Sequence, residues 1–278
     1  MNTEKRLLRP DMMPHMLCPG CGHGIVFEAM LRVLDRRFAT LDQVVFVAGI
    51  GCSSRIVGYI DAGTLHTTHG RPLTFATGLK MARPELTVIV VTGDGDGLSI
   101  GGNHLIHAAR RNVDLTCLLF NNEVYGMTGG QAAPTTVRGA YTSTTPGGNR
   151  ETPFDAARLA EAAGATFVAR AQSYRPQLFE GILEQALDHR GFAFLEVLTD
   201  CTEYFGRTNR LGTGVDLLQS QSRAEPAIGV DLAARPTLRP VAETAVRPTL
   251  PMGVFHQSRR PTLAEALGVG GGGDELAR

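Results

Sequence analysis

The chain has 278 residues, with 27 basic residues balanced by 27 acidic ones, and five cysteines. That length supplies ample core for one large domain or for a domain plus an extension, and the even charge gives no sign of a nucleic-acid or anionic-membrane partner. Residues 1–14 are charged and broken by proline, no signal-peptide stretch is present and no later run approaches a membrane span. The expectation is a cytoplasmic protein with no membrane partner, in which cysteines serve metal binding, catalysis or simple burial rather than a disulfide framework.

In chain order, apolar residues recur at helical spacing over Gly24–Leu34, and Val44–Ala48 is a short β-rich run that ends in glycine. The alternation continues with a helix over Leu73–Arg83, a strand over Leu86–Val91, a helix over Ile100–Arg111 and a strand over Leu115–Phe120. A helix over Phe154–Ala163, a strand over Thr166–Arg170, a helix over Pro176–His189 and a strand over Phe192–Leu198 complete it. Strands that are continuous apolar runs between helices predict an α/β, doubly wound and mostly parallel sheet, with ligand loops at the carboxyl ends of its strands.

After about Gly206 the pattern gives way to Thr/Arg/Pro-rich sequence in which Arg-Pro-Thr-Leu recurs at Arg235–Leu238, Arg247–Leu250 and Arg260–Leu263. Proline at such short spacing does not fit a solenoid unit. The division read here is a domain over 1–205 and an extended arm over 206–278 that packs on a partner chain, with a disordered tail as the bland alternative and Gly270–Gly273 as a flexible run.

The chemistry-bearing residues fall at strand ends. Gly49-Ile50-Gly51-Cys52-Ser53 follows the first strand, Gly93-Asp94-Gly95-Asp96 the second and Asn121-Asn122 the third. Magnesium favours carboxylate and amide oxygens completed by phosphate oxygens and water, and glycines let backbone amides approach a diphosphate. A lone Gly-Asp-Gly is often only a turn; joined to Asn-Asn one helix and one strand later, it reads as a metal–diphosphate site. Cys18-Pro19-Gly20-Cys21, Cys52 and Cys201 are able to hold an iron–sulfur cluster. In isolation the Cys-x-x-Cys reads equally as a thioredoxin-like dithiol or half of a structural zinc site. Cys117, inside an apolar strand, reads as core.

Gly93–His104 and Asn121–Gln131 resemble the beta subunit of 2-oxoacid:ferredoxin oxidoreductases, within the thiamine diphosphate enzymes; the similarity spans roughly residues 15 to 210, and Gly253-Val254-Phe255 to Arg260-Pro261-Thr262 is weakly similar to the family's C-terminal end. The resemblance implies that Asp94, Asn122 and the carbonyl of Val124 bind Mg2+, that Gly95, Asp96, Gly126 and Met127 line the diphosphate side, and that Ile50, Gly51, Cys52, Ser53 and His69 surround the rest of thiamine diphosphate. It also implies one [4Fe-4S] cluster on Cys18, Cys21, Cys52 and Cys201, with His23 supporting that cluster rather than ligating it. His104 and His107 lie one turn apart on a helix and receive no catalytic step.

The activity so implied is coenzyme A-dependent oxidative decarboxylation of a 2-oxoacid, with electrons passing through the cluster to ferredoxin. Arg55, three residues beyond Cys52, is the candidate to clamp a second substrate carboxylate, which favours 2-oxoglutarate over pyruvate; a paired surface arginine is the plain alternative. The family takes its thiamine-activating carboxylate from a partner alpha subunit, in complexes that pair as a dimer of heterodimers. Glu28 and Glu196 read better as solvated or paired charges than as that group. A non-redox thiamine decarboxylase with structural zinc is the competing enzyme class.

Overall fold

The structure is a computed structural model and describes residues 6–223 and 250–269. Among these residues nine strands and seven α-helices alternate: α1 (Gly22–Arg37), β1 (Val44–Ala48), β2 (Gly63–His66), α2 (Pro72–Ala82), β3 (Thr87–Gly93), α3 (Gly102–Arg111), β4 (Leu115–Asn121), β5 (Val124–Tyr125), β6 (Gln131–Ala132), α4 (Ala156–Ala162), β7 (Phe167–Gln172), α5 (Pro176–Asp188), β8 (Phe192–Leu198), α6 (Gly214–Ser220), β9 (Gly253–Gln257) and α7 (Leu263–Ala266). The main sheet has the order β2-β1-β3-β4-β8-β7-β9; every neighbouring pair is parallel except β7 with β9.

Both faces of this sheet are covered, which is why β4 and β8 are buried at every position and show no polar alternation. On one face Phe27, Met30 and Leu34 of α1 and Phe179, Ile182 and Leu183 of α5 pack on Leu118, Phe120 and Leu195. On the other, Leu73 of α2, Leu105 of α3 and Ala157 of α4 pack on Val90, Leu119 and Phe194. Outside the core, α1 and α5 are joined by ion pairs from Arg32 and Arg36 to Glu180 at 2.8 Å each.

The predicted strands and helices are present, with shifted ends. The expected start of α3 at Ile100 is instead a π-helical turn over Gly95–Ile100: an added Cβ at Gly101 would collide with the Asp96 carbonyl, so the chain turns through glycine before the α-helix begins. β2 has no counterpart among the predicted strands, because a four-residue edge strand with no fully buried side chain carries no apolar pattern. β9 lies inside the expected arm and pairs with β7 of its own chain. Arg235–Leu238 and Gly270–Gly273, like most of Arg247–Leu250, lie outside the described residues. Among the described residues no helix is long and apolar enough to cross a membrane.

From β1 the chain steps outward to β2 and then returns to lay β3 on the other side of β1. Such a reversal opens a crevice beyond the strand ends. The loops after β1, β3 and β4 meet there.

Candidate active site

The crevice is an open cavity of about 200 Å³. Ile50, Gly51, Cys52 and Ser53 from the first loop, Asp94, Gly95 and Asp96 from the second, Asn122, Val124, Gly126 and Met127 from the third, and His69 all line it. Arg55 does not; it is exposed on the short helical turn over Ser53–Tyr59. His23, Tyr125 and Thr128 also line the cavity, the last two from the Asn121–Gln131 stretch, as does Phe120, which no motif marked.

Asp94 is buried at 3 % exposure. Its Oδ1 accepts from the Gly95 amide at 2.8 Å, and its Oδ2 accepts from the Glu123 amide and the Thr135 hydroxyl, each at 2.7 Å. Burial pushes its carboxyl up to about 7, against these hydrogen bonds, which favour the charged form. No cationic side chain pairs with it among the described residues, so the site is a buried carboxylate in want of a cation, which fits Mg2+ with Asn122 beside it. Thr135 follows a polar loop with no recognisable pattern; only the folded chain brings it to Asp94.

Asp96, also 3 % exposed, ties the loops together. Its Oδ1 accepts from the amides of Gly70 at 2.7 Å and Ile50 at 3.2 Å, and its Oδ2 accepts from the Thr92 hydroxyl at 2.6 Å. His69 Nδ1 lies 2.7 Å from Asp96 Oδ1 without the alignment of a hydrogen bond. The Tyr125 hydroxyl donates to the Gly95 carbonyl at 3.1 Å, and its ring lies where a side chain at Gly95 would go. Glycine there makes room for that ring, and with Gly51, Gly93 and Gly126 in the lining the cavity wall is rich in backbone, which fits a diphosphate.

The cysteines gather beside the same cavity. A Cβ built on Gly126 would lie 3.5 Å from the sulfurs of both Cys52 and Cys201. Cys18 lies within electrostatic reach of Cys201, and Cys21 within reach of Cys52 and Cys18. Burial pushes the Cys21 thiol up to about 12 and the Cys52 thiol up to about 11. The backbone amides of His23 and Gly24 toward Cys21, and of Met127 toward Cys52, act in the opposite sense. Among the described residues no three His, Cys, Asp or Glu side chains close on the position of a single metal ion. A cubane spreads its four thiolates over a larger frame than one ion does, and an all-sulfur donor set with amides aimed at the sulfurs fits an iron–sulfur cluster. Cys117 is fully buried in β4, as a core residue.

The turn that presents Cys18 and Cys21 is closed by the Cys21 amide on the Cys18 carbonyl at 3.1 Å. Gly20, at φ +76, lets it pack on Gly214 of α6. His23, the second residue of α1, is 2 % exposed and stacks on Phe120 with 5.2 Å between ring centres. Burial holds it neutral, down to about 4, and its Nδ1 has no hydrogen-bond partner among the described residues.

Residues 49–197 match the family model of the thiamine pyrophosphate enzyme C-terminal TPP binding domain. A 2-oxoglutarate synthase subunit KorB from Methanothermobacter thermautotrophicus is 49 % identical over 218 residues, covering 78 % of this chain and 76 % of that one. The chain is a 2-oxoacid:ferredoxin oxidoreductase beta subunit. A second member of this beta-subunit family, the 2-oxoglutarate synthase subunit KorB of Methanocaldococcus jannaschii, is 40 % identical and aligns over 96 % of both chains. Among solved structures, the 2-oxoglutarate:ferredoxin oxidoreductase from Magnetococcus marinus, with 2-oxoglutarate, coenzyme A and succinyl-CoA bound, superposes with a TM-score of 0.81 at 34 % identity, covering 98 % of this chain and 92 % of that one.

Proposed function

We propose that this chain is the thiamine diphosphate-binding beta subunit of a cytoplasmic 2-oxoglutarate:ferredoxin oxidoreductase. The reaction is coenzyme A-dependent oxidative decarboxylation of 2-oxoglutarate to succinyl-CoA and carbon dioxide, reversible in principle, with electrons passed to ferredoxin. The observation that carries this reading is Gly126: it lines the cavity, and a Cβ built on it would lie 3.5 Å from the sulfurs of both Cys52 and Cys201. Cofactor cavity and thiolate group therefore share a wall.

In this reading Asp94, the Asn122 side chain and the Val124 carbonyl hold Mg2+, and the glycine-flanked loops hold the diphosphate. Cys18, Cys21, Cys52 and Cys201 hold a [4Fe-4S] cluster. When bound, thiamine diphosphate supplies a carbon nucleophile for the keto group and a sink for the electrons released with carbon dioxide. Ile50, Ser53 and His69 shape the remainder of the cavity. Arg55 pairs with the distal carboxylate of the substrate.

The activating carboxylate comes from an alpha subunit. Two facts support this: Asp94 and Asp96, the acids of the cavity lining, are already engaged, and the remaining candidates are elsewhere. Glu28 pairs with Arg32 at 3.0 Å on the surface, and Glu196 is buried against Arg170. The complex forms a dimer of heterodimers.

The test is anaerobic co-purification with the alpha subunit, followed by coenzyme A-dependent viologen reduction with 2-oxoglutarate or pyruvate. Faster reduction with 2-oxoglutarate is expected. A preference for pyruvate would overturn the substrate, and no reduction by a complex containing thiamine diphosphate would overturn the redox class.

A further inference from the structure

Asn121 ends β4 and Asn122 follows it, and the two face different surroundings. Asn122 lines the cavity, whereas Asn121 does not. The Asn121 amide group donates through Nδ2 to Glu196 Oε1 at 2.7 Å, and its Oδ1 accepts from the Glu123 amide at 3.2 Å. Glu196, 1 % exposed, accepts at its other oxygen from Arg170 Nε at 2.7 Å. Arg170, 2 % exposed, donates through Nη2 to Asp155 Oδ1 at 2.6 Å and lies over the Phe255 ring of β9 at 5.4 Å.

Glu123 gives this chain of contacts its meaning. It adopts φ +64, a left-handed conformation that a residue with a side chain keeps only when its surroundings hold it there. Its amide is shared between Asn121 Oδ1 and Asp94 Oδ2, and its carbonyl accepts the Thr136 hydroxyl at 2.6 Å. The turn so fixed places Asn122 before it and Val124 after it at the cavity.

We propose that Glu196 is a positioning residue for the metal-binding turn: by holding Asn121 from the far side of β4, it fixes the turn at Glu123 that sets Asn122 and Val124 toward the metal. The inference rests on the reading of Asp94, Asn122 and Val124 as the Mg2+ site. Groups that hold metal ligands in place typically change metal affinity by about 10- to 100-fold when replaced, and Glu196 acts on the ligands through Asn121 and the Glu123 amide.

The experiment uses the full chain in complex with its alpha subunit, stripped of metal. Thiamine diphosphate binding is measured by calorimetry at a series of Mg2+ concentrations, so activity is not needed. Glu196→Gln and Asn121→Ala are each expected to raise the half-saturating Mg2+ concentration by about 10- to 100-fold. The double variant Glu196→Gln/Asn121→Asp reverses donor and acceptor along the chain: the introduced glutamine amide donates to the introduced aspartate carboxylate, and its carbonyl oxygen still accepts from Arg170. It is expected to restore the half-saturating concentration to within about threefold of the parent. A role confined to packing would lower Tm in the single variants with no shift in Mg2+ dependence, and that result overturns the proposal. Asp94→Asn is the control: loss of Mg2+ dependence there, with none in the Glu196 and Asn121 variants, rejects positioning but keeps the metal site. Unchanged Mg2+ dependence in Asp94→Asn rejects the site itself and positioning with it.

Discussion

The Asp96 carboxylate accepts the Gly70 amide at 2.7 Å, so the residue two positions beyond the metal-ligand candidate Asp94 is also the fastener of a loop from the far side of β1. The same oxygen accepts the Ile50 amide, and an added Cβ at Gly49 would collide with this carboxylate. Asp96 therefore ties the loops at Ile50 and Gly70 to its own at the cavity wall.

Asp96→Asn replaces one acceptor oxygen by a donor facing other donors. Hydrogen bonds to a charged group contribute about 1.5–3 kcal/mol. A chain of this size should lose roughly 3–12 °C in Tm, measured by calorimetry on the metal-free complex. Gly49→Ala should behave similarly through overpacking, at about 1–3 kcal/mol. A Tm unchanged in both variants would show that Asp96 does not fasten the loops.

Asp94 and His23 should pull the pH dependence of stability in opposite directions. Asp94 is raised to about 7 by burial, so between its unfolded value and 7 the folded chain binds more protons than the unfolded one. Its contribution to stability is present at low pH and is lost as pH rises through that window. His23 is lowered to about 4, so its contribution is present above its unfolded value and is lost as pH falls toward 4. Each effect is at most about 1.4 kcal/mol per pH unit. In the metal-free complex, His23→Phe should leave stability falling as pH rises from 4 to 7, and Asp94→Asn should leave it rising; denaturant midpoints across that range read both. Mg2+ must displace the Asp94 proton, so its affinity should climb with pH up to about 7 and then level off.

The cysteine assignment separates cleanly by replacement. Serine at Cys18, Cys21, Cys52 or Cys201 should lower iron and acid-labile sulfide and weaken the paramagnetic signal of the reduced cluster. Cys117→Ser should leave the iron content at the parental level and cost about 1–3 kcal/mol, because a hydroxyl without a partner enters a fully buried strand. Full iron content in Cys201→Ser would remove that residue from the ligand set.

Arg55 is exposed and outside the cavity lining, so the proposed pairing with a substrate carboxylate is tested by replacement. Arg55→Ala should lower kcat/KM for 2-oxoglutarate by about 10- to 150-fold, the equivalent of about 1.5–3 kcal/mol for a charged hydrogen bond. The value for pyruvate should move little. Equal losses with both substrates would assign Arg55 to the fold and not to selection.

Much of this protein was legible in local pattern. The strands β1, β3, β4, β7 and β8 are long apolar runs because both faces of the sheet are covered, and that burial writes itself into consecutive residues. Glycines and acids at strand ends marked the three loops for the same local reason, since a backbone that must approach a ligand excludes side chains. The edge strand β2, with its exposed polar residues, and β9, separated from its partner β7 by the whole of α5 and β8, left no such trace. Tertiary structure alone decided that Glu196 holds Asn121, that Thr135 holds Asp94, and that Asp96 faces the loops it fastens. Each of these depends on which donor the folded chain brings within 3 Å of which acceptor, and a hydrogen bond between residues forty positions apart has no period in the sequence to announce it.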